Sequence, residues 1–209
     1  MGSAADFLPE RTTLPAMRQA VQGCRGCDLY RDATQAVFGE GPAHARVVMV
    51  GEQPGDKEDL AGRPFVGPAG GLLDRAIDEA GLHRDDVYIT NVVKHFRFVL
   101  RGKRRIHRKP ATEHVLACAP WLDAELERIG PEAVVLLGAT AAQAILGRSF
   151  RVTEQRGGFV DSPLAPLVTA TIHPSSILRA ETEDDRRAAF RGFVRDLATV
   201  RGALRARAG

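Results

Sequence analysis

Glu52, Gln53, Asp56 and Phe65 stand in one Gly/Pro-punctuated stretch, GEQPGDKEDLAGRPFVGPAG from Gly51 to Gly70, directly after the run Arg46-Val47-Val48-Met49-Val50. Carboxylates, an amide and an aromatic ring delivered by a loop at the end of a buried strand are what an α/β active site requires. Asn91 closes a second apolar run, and His173-Pro174-Ser175-Ser176 follows a later one. An acid or base (Glu52), a donor-plus-acceptor amide (Asn91) and an imidazole (His173) are the side chains that read or activate a polar heterocycle. Each has a plainer role open to it: Asn91 as a turn cap, His173 as a strand-end residue satisfied by backbone, Glu52 as a surface carboxylate, Phe65 as loop packing. Their joint placement at strand ends favours a site.

A second constellation is electrostatic. Arg101, Lys103, Arg104, Arg105, Arg108 and Lys109 put six positive charges into nine residues without an acid. Subtracting those six from the overall formal charge of +3 leaves −3 on everything else, so the basicity is local. A concentrated positive segment on a slightly acidic body is the footprint of a polyanion-binding surface. His107 lies inside it. A third constellation is Cys24-Arg25-Gly26-Cys27 with Cys118, the only three cysteines. They cannot complete a disulfide framework and suit a reducing compartment, which points to a metal site, structural zinc included.

The elements that position these groups are legible as alternating runs. Aliphatic segments cover Arg46 to Val50, Val87 to Asn91, Ala133 to Leu137 and Leu167 to Ile172. Helical patterns lie at roughly Gly70 to Ala80, Thr112 to Ile129, Thr140 to Leu146 and Glu183 to about Leu204. Strands alternating with helices predict an α/β fold, a three-layer αβα arrangement around a central, mostly parallel four-stranded sheet. At 209 residues the whole chain, 1–209, is expected to form one domain that buries roughly 70% of its unfolded surface. Ligands in such a sheet sit outside the carboxyl ends of the strands, where Glu52, Asn91, Gly138-Ala139-Thr140 and His173 converge. No apolar stretch approaches the ~18 residues of a membrane span, and the N-terminus lacks a signal-peptide pattern. A soluble, cytoplasmic protein without membrane contact is expected.

GEQPGDKEDLAGRPFVGPAG, TNVVKH at Thr90 to His95 and HPSS at His173 to Ser176 together resemble the uracil-DNA glycosylase superfamily, closest to family 4. The segment Lys103-Arg104-Arg105-Ile106-His107 further resembles the UdgX class, whose members bind uracil-containing DNA covalently. The resemblance runs from about Cys24 to Ser176. It departs from family 4 at Gln53, where Ala is usual, and in the added basic segment with His107.

The resemblance implies a base flipped out of single- or double-stranded DNA, with Lys103, Arg104, Arg105, Arg108 and Lys109 on phosphates. Phe65 would stack on the uracil and Asn91 would pair with its Watson–Crick edge. The backbone around Gly51 and Gln53, with His173 and Ser175, would hold the far carbonyl, and Asp56 would complete the pocket. Glu52 would face the cationic sugar, while His107 competes with water for the anomeric carbon and traps it. Only a neutral imidazole has a lone pair to give; Arg105 and Arg108 disfavour the charged ring, whereas DNA phosphates favour it. Because His95 fills the place of family 4's fourth cysteine, the resemblance also implies a [4Fe-4S] cluster on Cys24, Cys27, His95 and Cys118, with zinc as the alternative. A monomer is expected. Rival readings are a multiple-turnover glycosylase that uses water and a DNA-binding module without catalysis.

Overall fold

A computed structural model of the chain describes residues 2–208. Its strands are β1 (Val47–Gly51), β2 (Val87–Asn91), β3 (Phe98–Arg101), β4 (Arg104–His107), β5 (Ala133–Leu137) and β6 (Leu167–Thr171). Its helices are α1 (Leu14–Ala20), α2 (Asp56–Ala61), α3 (Pro68–Glu79), α4 (Thr112–Ile129), α5 (Ala139–Leu146), α6 (Val152–Gln155), α7 (Pro174–Leu178) and α8 (Glu183–Ala208). Four strands form a parallel sheet in the order β2-β1-β5-β6, and β3 and β4 pair separately as an antiparallel ribbon.

The expected αβα layering follows from alternation along strands that are apolar on both faces. Val48, Val50, Val134 and Leu136 pack against α1, α4 and α5 on one side. Val47, Met49, Val135 and Leu137 pack against α3, α7 and α8 on the other. Phe190, Phe193, Leu197, Val200 and Leu204 of α8 recur at three- and four-residue spacing, which lays one stripe of that helix on the sheet. From β1 the chain moves outward to β2 and then returns to β5 on β1's other edge. The order therefore reverses at β1, and a crevice opens beyond the carboxyl ends of β1 and β5.

The sequence-predicted elements shift only at their ends: β1 starts and ends one residue later than expected, β6 ends at Thr171, α3 starts at Pro68 and α8 reaches Ala208. The larger differences lie between them. The stretch from Gly51 to Gly70 encloses α2, and helix α1 precedes the Cys24 segment. The basic stretch is a hairpin and not an irregular loop. Gly102, with φ +61°, is the first of its two connecting residues, which suits the twist of a two-residue hairpin turn.

Among the described residues, one ion pair has both side chains sealed from solvent. Lys94 and Glu125 have no exposed side-chain surface and pair at 2.5 Å. Glu125 also accepts from the Tyr88 hydroxyl (2.8 Å), the Thr90 hydroxyl (3.0 Å) and the Gly39 N–H (3.0 Å). Lys94 Nζ donates in addition to Thr90 Oγ1 and to the backbone carbonyl of Asn91 (2.8 Å). Every strong donor and acceptor is matched, the condition under which a buried ion pair is tolerated. Glu125→Leu leaves the lysine charge uncompensated and is expected to cost about 3–5 kcal/mol in denaturant unfolding, whereas adding Lys94→Met to it should restore much of that loss.

Candidate active site

Gly51 ends β1 where three groups meet. A Cβ there would collide with Asn91 Oδ1 and with the Phe65 ring, so the backbone can come this close to both only as glycine. Asn91 Oδ1 is buried and has no hydrogen-bond partner. An orphaned buried acceptor is costly unless a ligand completes it. Phe65 is the one non-glycine residue with positive φ (54°) among the described residues, a conformation that costs on the order of 1–3 kcal/mol. Gly70 packs against the Phe65 carbonyl where a side chain would clash. Glu58 braces the same loop by accepting from the N–H groups of Gly55 and Gly67. The Phe65 ring lies 5.8 Å from the His173 ring at an interplanar angle of 29°.

His173 caps α7 with its side chain. Its Nδ1 accepts the Ser175 N–H (3.1 Å) and lies 2.8 Å from Ser175 Oγ, so in the neutral ring the proton sits on Nε2. Burial pushes this imidazole down to about 4, with the charge of Glu52 opposing the shift and those of Arg179 and His107 assisting it. The site thus holds a neutral N–H donor at physiological pH. Ser175 stands behind the imidazole and orients it.

Glu52 lies just past β1, with its carboxylate 3.2 Å from His107 Nε2. Desolvation would raise its protonation range, but hydrogen bonds from His107 and Thr140 and the charges of His107 and His173 outweigh that, and the net shift is downward. An ionised carboxylate and an imidazole therefore face each other at the mouth of the crevice. The His107 side chain is 49% exposed, open to an incoming ligand.

Two residues hold His107 there. Gln53 Nε2 donates to the carbonyls of Arg97 and Arg108 (both 3.1 Å), and its Oε1 accepts the Arg97 N–H (3.2 Å), which clips both feet of the hairpin to the end of β1. Arg105 turns inward, bonding Asp56 and the fully buried Asp59 at 2.6 Å each and covering the rings of Phe96 and Phe98. Asp56 and Arg105 are thus occupied with each other. Lys103, Arg104, Arg108 and Lys109 are exposed.

Cys24, Cys27 and Cys118 are free and buried. Cys24 Sγ accepts from Trp121 Nε1, one turn beyond Cys118 on α4, and Cys118 Sγ accepts the Lys94 N–H, both at 3.3 Å. Burial raises Cys118 to about 12. His114 ties the segment down further, its ring between the Ala111 N–H and Asp28. His95 is buried, and its charged neighbour is Asp59. Among the described residues no three His, Cys, Asp or Glu side chains form a group that would hold a single metal ion.

Sequence reading passed over Lys94, Glu125 and Asp59. A lysine inside the apolar segment Asn91-Val92-Val93-Lys94-His95-Phe96 was a usable signal for a buried pair. Thr140, expected at the crevice from its place after the third apolar run, meets Glu52 because β1 and β5 are neighbours.

Residues 38–198 match the uracil DNA glycosylase superfamily. The type-4 uracil-DNA glycosylase of Thermotoga maritima is 41% identical over 81% of this chain and 85% of that protein. Those of Sulfurisphaera tokodaii and Pyrobaculum aerophilum are 40% and 34% identical, over 79% and 90% of this chain and 76% and 93% of theirs. With this match spanning the β1 loop, the Asn91 strand end and the His173 cap, the chain belongs to the uracil DNA glycosylase superfamily.

Proposed function

We propose that the protein excises uracil from DNA and retains the abasic sugar on His107, as in the UdgX class. The observation that carries this reading is the pairing of His107 Nε2 with Glu52 at 3.2 Å beside the orphaned Asn91 amide. Family membership and the type-4 relatives support the excision. The hairpin placement of His107 supports the trapping.

In this reading a flipped uracil stacks on Phe65, and Asn91 Oδ1 accepts its N3–H while the amide donates to O4. Cytosine presents the opposite pattern at those atoms, so it would leave buried polar groups unpaired. His173 donates its Nε2–H to the far carbonyl, where negative charge collects as the glycosidic bond breaks. Glu52 stabilises the cationic sugar and accepts an N–H from His107, leaving the lone pair of the other ring nitrogen free. That nitrogen forms a bond to the anomeric carbon as the base departs with the bonding pair. The imidazole proton passes through Glu52 to solvent, and the uracil anion gains one. The product is an N-alkylated imidazole without a good leaving group.

Lys103, Arg104, Arg108 and Lys109 offset the cost of flipping through phosphate contacts. The chain acts as a monomer and a single unit, 1–209, on single- and double-stranded DNA. Cys24, Cys27 and Cys118 are free and buried, and contacts of Cys118 with Lys94 and of Cys24 with Trp121 tie these segments to α4, which suits a [4Fe-4S] cluster with His95 as the fourth ligand. Zinc on the same donors is the less favoured alternative. The cluster would supply structural bracing, joining the Cys24 segment and α4 to the strand end that carries Asn91.

Three measurements test this reading. Incubation with uracil-containing single-stranded DNA should give a shifted band on a denaturing gel that His107→Gly abolishes; an undiminished adduct in the variant would exclude His107 as the nucleophile. In the His107→Gly protein, excision should stay flat from about pH 8 to about pH 5 and fall only near pH 4, where His173 gains a proton. A break near pH 6.5 would mean that His173 works as a cation. Purified protein should contain iron and absorb as a thiolate-ligated cluster, with both signals lost in Cys118→Ala; a colourless zinc protein would rule the cluster out.

A further inference from the structure

The hairpin has two faces, and the crevice uses one of them. Side chains alternate along each strand, so Phe98, Leu100, Arg105 and His107 share one face, on which Arg105 and His107 meet Asp56, Asp59 and Glu52. Val99 and Arg101 on β3 pair with Ile106 and Arg104 on β4, and these four occupy the opposite face. The bond from the Arg108 N–H to the Arg97 carbonyl (2.9 Å) extends the ladder one step and adds Arg97 and Arg108 to that face.

The outer face is thus an aliphatic centre with an arginine pair at either end. Val99 and Ile106 are 42% and 41% exposed. None of the four arginines joins a salt bridge among the described residues; the Arg97 guanidinium donates to the Lys109 carbonyl. A cavity of about 590 Å³ lined by Arg97, Phe98, Val99, Arg108 and Lys109 opens at one end of the face. Like charges gathered around exposed apolar surface are unfavourable in isolation and call for a polyanion that also has an apolar part. A duplex offers phosphates but hides its base faces in the stack. An unpaired strand offers both.

We propose that the outer face of the β3–β4 hairpin is a second nucleotide site, taking an unpaired nucleotide of the single-stranded DNA that flanks the one in the crevice. Its base lies on Val99 and Ile106, and the adjoining phosphates meet Arg101 with Arg104 and Arg97 with Arg108. The choice of DNA as the polymer rests on the reading above; the site itself has no need of uracil.

The test is equilibrium binding of the full-length protein, by fluorescence anisotropy, to a labelled uracil-free single strand, to the same sequence as duplex and to polyglutamate. Val99→Ser with Ile106→Ser is expected to weaken single-strand binding roughly five- to tenfold, the scale of two aliphatic side chains losing a base. Duplex binding and trapping of a uracil oligonucleotide should not change. Arg101→Ala with Arg104→Ala is expected to reduce the slope of log affinity against log salt by about 1.4, about 0.7 per phosphate contact. In the Val99→Ser, Ile106→Ser protein, equal loss on single strand and duplex, or loss on neither, overturns the second site. Tighter binding of polyglutamate than of DNA overturns it as well and assigns the face to an acidic protein. Because the strands carry no uracil, failure here and failure of uracil excision are separate results.

Discussion

A lysine and a glutamate sealed from solvent set the frame on which the site is hung. Lys94 sits three residues beyond Asn91 and donates to that residue's carbonyl while pairing with Glu125 of α4. Its own N–H meets Cys118 on the same helix. The end of β2, and with it the Asn91 amide, is therefore tied to α4 by charge, backbone and sulfur. Such a pair gives little net stability compared with apolar packing, but it is directional where apolar contacts are not. Its consequence is a fixed backbone at Asn91, the end of the strand from which the carboxamide projects.

The hairpin meets this frame through two contacts of different kinds. Gln53 clips its feet with three hydrogen bonds, and Arg105 closes its inner face on Asp56 and Asp59. Gln53 and the basic segment thus act as a single device: the amide holds the segment that carries His107. Arg105 illustrates how charge counts mislead. Of six cations in the basic stretch, it is the one spent on the protein's own acids.

Charge in the crevice is arranged in opposite senses on either side of the breaking bond. Burial keeps His173 neutral and a backbone N–H fixes its tautomer, while hydrogen bonds keep Glu52 ionised. For the proposed reaction this places a neutral donor where an anion develops and a carboxylate where a cation develops. The two groups differ by environment, not by position along their strands: each simply follows the carboxyl end of one.

Much of this was readable from residue order. The four strands of the sheet appear as aliphatic runs, the long helices as three- and four-residue periodicity, and Glu52, Asn91 and His173 as polar residues at strand ends, because local pattern and burial are coupled wherever an element lies on a core. The hairpin was not legible as such, since its strands are largely exposed and its alternation is masked by arginine. Residue order alone settled which side chains exist, the parallel layered fold and the local excess of positive charge. Tertiary structure decided the rest: that Glu125 and Lys94 meet, that Gln53 grips the hairpin, that Arg105 turns inward and that His107 reaches Glu52. These contacts join residues dozens of positions apart through the strand order β2-β1-β5-β6, and their energies depend on distance and desolvation, which a linear string does not contain.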